Sequence, residues 1–176
     1  MSRDLTTGER RVARELYGSS INYSEVKIHD GKYFFGQPDN SGMTPNGEIY
    51  ASSGAYHADY SVENASTQGF LVHEMGHVWQ YQNSILNVIW SAILEQIEHG
   101  LDYNKAYPYL LDANKTLTDY DIEQQASILE DYFRVVKRGI EFRQGRIQNG
   151  GDRTEKVRLL RAVLADFITD PSLPNR

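Results

Sequence analysis

His73-Glu74-Met75-Gly76-His77, flanked by Gly69-Phe70-Leu71-Val72 and Val78-Trp79-Gln80-Tyr81, decides the reading of this 176-residue chain. Neither flank contains proline, so the spacing predicts one continuous helix through the motif. Residues four apart lie one turn apart on the same helix face, which lets both imidazoles reach one metal ion. Glu74 sits beside them, within reach of a proton on a metal-activated water. HExxH on a helix is in this way the signature of a zinc hydrolase. On the helix wheel Leu71, Val72, Met75, Val78 and Trp79 fall opposite the histidines. Such a helix belongs at the centre of a domain, with its polar strip turned to a cleft.

A catalytic zinc takes three protein ligands and keeps one position open. The extended motif with a third histidine downstream is excluded, because its glycine and histidine places hold Gln80 and Asn83. A glutamate on a later helix remains, and Glu123 in Asp121-Ile122-Glu123-Gln124-Gln125-Ala126-Ser127 is the candidate. On its own helix Glu123 shares a face with Ser127, Glu130, Asp131 and Arg134. That face reads equally as a solvated strip or as a site lining. Glu130 and Asp131 are rival ligands, or partners that orient a ligating imidazole.

The rest of the chain reads as an α+β domain spanning residues 1–176, with no internal repeat and no domain boundary. Thr6 and Glu9 have capping-box spacing, so a short amphipathic helix is expected over Arg10 to Tyr17, ended by Gly18. Val26, Ile28, Tyr33-Phe34-Phe35 and Glu48-Ile49-Tyr50 predict a small N-terminal antiparallel sheet packed on the motif helix. The intervening Gly36-to-Gly47 stretch reads as loop. Ser61 or Asn64 caps the motif helix. Further helices are expected over about Ser84 to His99, Asp119 to Arg138 and Arg153 to Thr169, which makes the C-terminal half mostly helical.

A net charge of −6 argues against nucleic acid as a partner. The chain has no cysteine, so neither disulfides nor thiolate zinc sites exist, and a metal must be held by His and carboxylate. The N-terminus lacks the apolar run of a Sec signal peptide. The longest apolar stretch, Ile85 to Leu94, is too short and too polar to span a bilayer, so no transmembrane segment is expected.

The blocks Met43-Thr44-Pro45-Asn46-Gly47, Phe70 through Gln82 and Glu123-Gln124-Gln125-Ala126 resemble a bacterial family of zinc metallopeptidase domains. Members occur as toxin or effector modules, some fused to VgrG-type spike proteins of type VI secretion systems or to Rhs-type proteins. The likeness covers most of residues 5 to 135, and nothing after about Gly139 resembles a known pattern. It implies a zincin-like fold, Zn2+ held by His73, His77 and Glu123, and Glu74 as general base. It also implies export without a Sec signal from the cytoplasm, action in the periplasm of a target cell, a VgrG- or Rhs-type delivery protein, and an immunity protein.

The expected activity is hydrolysis of a peptide or protein substrate. Peptide cross-links of peptidoglycan need the same chemistry, and a non-catalytic binding or delivery module that retains zinc is the reading from another class. For the oxyanion, Tyr132 and Tyr103 are the nominated phenols among twelve tyrosines. His57 and His99 read as loop or surface histidines with a secondary claim on substrate, and His29 as structural. Gln80 and Gln82 line the cleft or tie down loops. A strand edge near Glu48 to Ser52 is expected to hold an extended peptide.

Overall fold

The Thr6 hydroxyl accepts the Glu9 N–H at 3.0 Å, and the Glu9 carboxylate accepts the Thr6 N–H at 2.8 Å. This capping box starts α1 (Thr7–Tyr17) in the computed structural model, which describes residues 1–85 and 107–172. Gly18, at φ 52°, ends the helix as anticipated. Glu9 does more than cap. Fully buried, it also receives Arg3 through both terminal guanidinium nitrogens at 2.7 and 2.8 Å, and the N–H of Tyr60 at 2.9 Å. One carboxylate thus ties the chain start, α1 and the approach to the motif helix together.

Four short strands form the sheet: β1 (Ser2–Asp4), β2 (Lys27–Asp30), β3 (Gly42–Met43) and β4 (Ile49–Ala51), in the order β1-β2-β4-β3. It is mixed, which corrects the wholly antiparallel sheet expected from the sequence. β2 and β4 run parallel, with Ile28 opposite Ile49, while β1/β2 and β3/β4 are antiparallel. The chain leaves β2 through the long loop and returns through β3 before β4, and such a crossover suits parallel pairing.

Tyr33-Phe34-Phe35 forms a turn rather than a strand. The buried Gln37 side chain takes the Tyr33 N–H at 2.7 Å and donates to the carbonyls of Tyr50 and Ser41 at 3.0 and 3.2 Å. That bonding closes the loop on itself, so the three aromatics never enter a ladder, and Phe35 is wholly exposed.

α2 (Ala65–Gln82) carries the motif, with the Asn64 side chain accepting the N–H groups of Ser66 and Thr67. Asn83 and Ser84, the latter at φ 61°, terminate it. The helix expected from Ser84 to His99 lies, beyond Ile85, outside the described residues, as do His99 and Tyr103. α3 (Ile122–Tyr132) starts at an Asp121/Gln124 capping box and passes into a π-helical turn at Phe133–Lys137, so the long helix expected over Asp119 to Arg138 changes pitch. α4 (Arg153–Val163) and α5 (Ala165–Thr169) follow.

α2 runs through the core with Leu71, Val72, Met75, Val78 and Trp79 at most 1% exposed. Trp79 meets Phe167 of α5 edge-on at 5.2 Å and donates its indole N–H to the Pro171 carbonyl at 2.7 Å. α2 and α3 cross antiparallel and close. A methyl group on Gly69 would meet Arg134 and Glu130, and one on Gly76 would lie 3.3 Å from the Ala126 backbone. The two x residues of HExxH therefore have separate tasks: Met75 fills the core, and Gly76 admits the helix that carries Glu123. No helix among the described residues is long and apolar enough to cross a membrane.

Candidate metal centre and cleft

His73 and His77 project from one face of α2 towards α3, as the four-residue spacing requires. Glu123, in the first turn of α3, meets both: its Oε2 lies 3.4 Å from His73 Nε2 and its Oε1 3.3 Å from His77 Nε2. All three side chains are buried, and one ligand atom from each falls within a 4.8 Å group able to hold a metal ion. Two donors each about 2.1 Å from a tetrahedral ion lie about 3.4 Å apart, so the spacing fits. The donor chemistry fits too, two imidazoles and a carboxylate suiting a first-row divalent ion.

The far side of each imidazole is also held. His77 Nδ1 lies 2.8 Å from Gln80 Oε1, and the Gln80 amide donates to the Ile122 carbonyl at 2.8 Å and to Gln125 Oε1 at 3.0 Å. One glutamine therefore aims His77 and locks the start of α3 against α2. His73 Nδ1 faces Glu130 Oε2 at 3.4 Å. Glu130, seven residues after Glu123, returns to the same face of α3. Its place is behind the imidazole, and the polar strip of α3 is a site lining: Glu123, Ser127, Glu130 and Asp131 are all buried.

Glu130 is anchored by Arg146, with Arg143 at 3.6 Å and Arg134 at 4.0 Å. Arg146 comes from the segment after Gly139. That segment is stitched in place by a parallel bridge between Tyr109 and Ile147, with Tyr109 N–H to Arg146 O at 2.9 Å and Gln148 N–H to Tyr109 O at 3.0 Å. Tyr109 also donates to Asp131 at 2.7 Å, and Asp131 is not among the residues grouped around the metal position.

The electrostatics favour a cation here. Burial would neutralise His73, but hydrogen bonds to Glu123 and Glu130 overcome this and push its pKa up to about 9. Burial would raise Glu123, yet the charge of His77 and contact with both imidazoles hold it well below the usual carboxylate range. Glu130 is similarly held at about 2 by His73 and Arg146 against its burial. A site that stabilises a proton on His73 between two carboxylates is prepared to exchange that proton for a metal ion.

Glu74 turns the other way, towards the sheet, and Thr44 donates to its Oε2 at 2.8 Å. Burial raises its proton affinity, only partly offset by the two histidines and by Thr44. Gly42 of β3 is packed against this carboxylate: a methyl there would come within 2.3 Å of Glu74 Oε1. Gly42→Ala, whose backbone suits any residue, is therefore expected to displace the Glu74 carboxylate and the Phe70 ring, 2.7 Å from the added methyl, without touching the metal group. A shift of about 1 Å at a reacting group costs on the order of 100-fold in turnover. Unaltered turnover in Gly42→Ala would show that the Gly42 contact does not set the position of a reacting carboxylate.

A cleft of about 390 Å³ opens beside these groups, lined among others by Ser41, Gly42, Phe70, His73, Glu74 and Tyr107. Among the described residues Tyr107 is the tyrosine that lines it, with its ring 5.7 Å from His73 and the Arg146 guanidinium over its face at 5.5 Å. Tyr132 is placed elsewhere. Nine residues beyond Glu123, it lies about 180° around α3, in the apolar core. β4 is interior, paired on both sides, so the sheet edge at the cleft is β3 and not the expected Glu48 to Ser52 strand. His29 pairs with Glu48 at 2.6 Å and stacks on Tyr50, which supports its structural reading. His57 pairs with Glu63 at 3.2 Å, and Gln82 ties α2 to Asn22. Thr44, Gly42, Arg143 and Arg146 received no role from sequence. Arg146 carried no signal at all, because it sits outside helix and strand.

Fold and site define an α+β domain with a buried His/His/Glu group able to hold a metal ion. No protein-family model matches the chain. Among solved structures it is similar to the effector domain of Pseudomonas aeruginosa VgrG2b, with 34% identity and a TM-score of 0.70 over 93% of this chain and 82% of that one. The chain belongs to the VgrG2b effector-domain family. It is also 41% identical, over 132 residues or 74% of its length, to the type VI secretion system spike protein VgrG2b of Pseudomonas aeruginosa. It spans only 13% of that spike protein's length.

Proposed function

We propose that residues 1–176 form one zincin-like peptidase module, delivered by a type VI secretion system, in which Glu74 is the general base beside zinc held by His73, His77 and Glu123. The observation that carries this reading is the position of Glu74: buried, raised in proton affinity, and open to the cleft next to a three-donor metal group. Among the described residues the group has three protein donors, the number that suits a catalytic zinc, whereas a structural one is closed by four. Zinc, when bound, supplies Lewis acidity towards water and the substrate carbonyl.

The chain's own residues do the rest. Glu74 takes the proton of the attacking water and returns it to the leaving amine. Thr44 holds Oε2 of Glu74, which leaves Oε1, beside Gly42 at the cleft wall, for the water. Tyr107, whose ring lies 5.7 Å from that of His73, is the phenol proposed to donate to the developing oxyanion. The β3 edge offers main-chain groups to an extended peptide. Kinship to a spike protein's effector domain supports VgrG-type delivery; action in the periplasm of a target cell and a cognate immunity protein are part of the same proposal.

The test is metal analysis combined with cleavage of a peptide library and of purified peptidoglycan. One zinc per chain is expected, with cleavage abolished by chelation and restored by zinc. Tightly held zinc with no cleavage of either substrate class would make the domain a binding module and end this reading.

A further inference from the structure

We infer that the cleft continues into an anion-binding subsite centred on Arg143, which takes a carboxylate of the bound peptide; this rests on the peptidase reading above. A second cavity of about 330 Å³ shares Asn40, Phe70 and Arg143 with the first. Arg134, Arg143 and His57 line it, and no carboxylate does so among the described residues, although the whole chain carries a net charge of −6.

The charge of Arg143 is met from within only by Glu130, at 3.6 Å, which it shares with other guanidiniums. Glu130 meets Arg146 directly and has Arg143 at 3.6 Å and Arg134 at 4.0 Å, so one carboxylate faces three guanidiniums. The nearby Asp131 is bonded to the Tyr109 hydroxyl and accepts the Arg143 main-chain N–H, leaving the Arg143 side chain unengaged by it. Arg134 is fixed by the Ser66 hydroxyl at 2.6 Å, and His57 is paired with Glu63. The Arg143 side chain, 57% exposed, is the most exposed basic group of the set and lines both cavities. Ser66 and Thr67, whose N–H groups the Asn64 side chain accepts, bring the first turn of α2 to the same cavity.

Position gives the register. Phe70 and Thr67 precede Glu74 by four and seven residues, or about 6 and 10 Å along the helix axis. An extended peptide advances about 3.4 Å per residue, which puts the carboxylate roughly two to three residues from the bond being cut. The group is an Asp or Glu side chain, or the terminal carboxylate of a short peptide. Guanidinium recognises both alike.

The experiment measures binding rather than turnover, so its outcome is separate from the fate of the peptidase reading. An acetylated, amidated Ser/Ala decapeptide with one Glu walked through its positions is compared with the matching Gln series. Affinities are measured on zinc-loaded protein carrying Glu74→Gln. Glu at one register should bind roughly tenfold tighter than Gln. Arg143→Gln should remove that preference, and Arg143→Glu should invert it towards a Lys-bearing series, which a merely structural arginine would not do. A third series with free C-termini distinguishes the sources: preference only there assigns the terminal carboxylate. No difference between Glu and Gln in any series, no measurable binding, or a preference that survives Arg143→Glu would overturn the subsite, even if the wild type proves to be an active peptidase.

Discussion

Glu74→Gln is expected to retain zinc at the wild-type stoichiometry and to lower peptide cleavage by about 100- to 10,000-fold, the range that a positioned general base contributes. Gln matches Glu in shape and still accepts from Thr44, which donates to Glu74 at 2.8 Å, so the carboxamide keeps the carboxylate's place. It has no usable basicity, and so it can neither take the proton from water nor return it to the amine. The metal group contains His73, His77 and Glu123 but not Glu74, so metal content should not move. The check is zinc analysis and cleavage kinetics on the same preparation. Normal cleavage by Glu74→Gln would remove the base from the mechanism; loss of zinc would instead make Glu74 a ligand.

Glu123→Ala is expected to weaken zinc by more than about 100-fold, because changing a partner behind the ligands already costs about 10- to 100-fold. Two imidazoles alone leave the ion short of a donor and of the one negative charge in the group. Glu130→Gln should fall within that smaller range: it leaves all three donors in place and weakens only the carboxylate 3.4 Å behind His73. Chelator-competition titrations of the two variants beside wild type give the ranking. Equal zinc affinity in Glu123→Ala and wild type would place the third donor elsewhere, and a larger loss in Glu130→Gln than in Glu123→Ala would exchange their roles.

The wheel of α3 could not choose between a wet strip and a site, since Glu123, Ser127, Glu130 and Asp131 share a face in either case. Contact with α2 chooses: all four are buried, Glu123 against the two imidazoles and Glu130 behind one of them. The sheet shows the same limit. Val26, Ile28 and Ile49 announced extended segments, but strand direction depends on how the intervening loop returns, and that loop is held by long-range bonds such as Gln37 to Tyr50. The tyrosines show it again. Tyr132 has the composition of a site phenol but faces the core, whereas Tyr107 enters the cleft from a segment with no periodic pattern.

Local sequence by itself determined what local physics controls. The Thr6/Glu9 box starts α1, unbroken helical residues carry HExxH, the four-residue spacing puts two imidazoles on one face, and the absence of cysteine limits the ligands to His and carboxylate. Tertiary structure decided everything that depends on two distant segments meeting. Gly76 against Ala126 sets the distance between α2 and α3, and so brings Glu123 to the histidines. Gly42 and Thr44 of the loop and sheet hold Glu74, and Arg146 reaches Glu130 from a segment with no regular structure. The reason is physical: helix periodicity and capping involve groups within a few residues of one another, whereas burial, charge pairing and close packing depend on partners that chain order does not reveal.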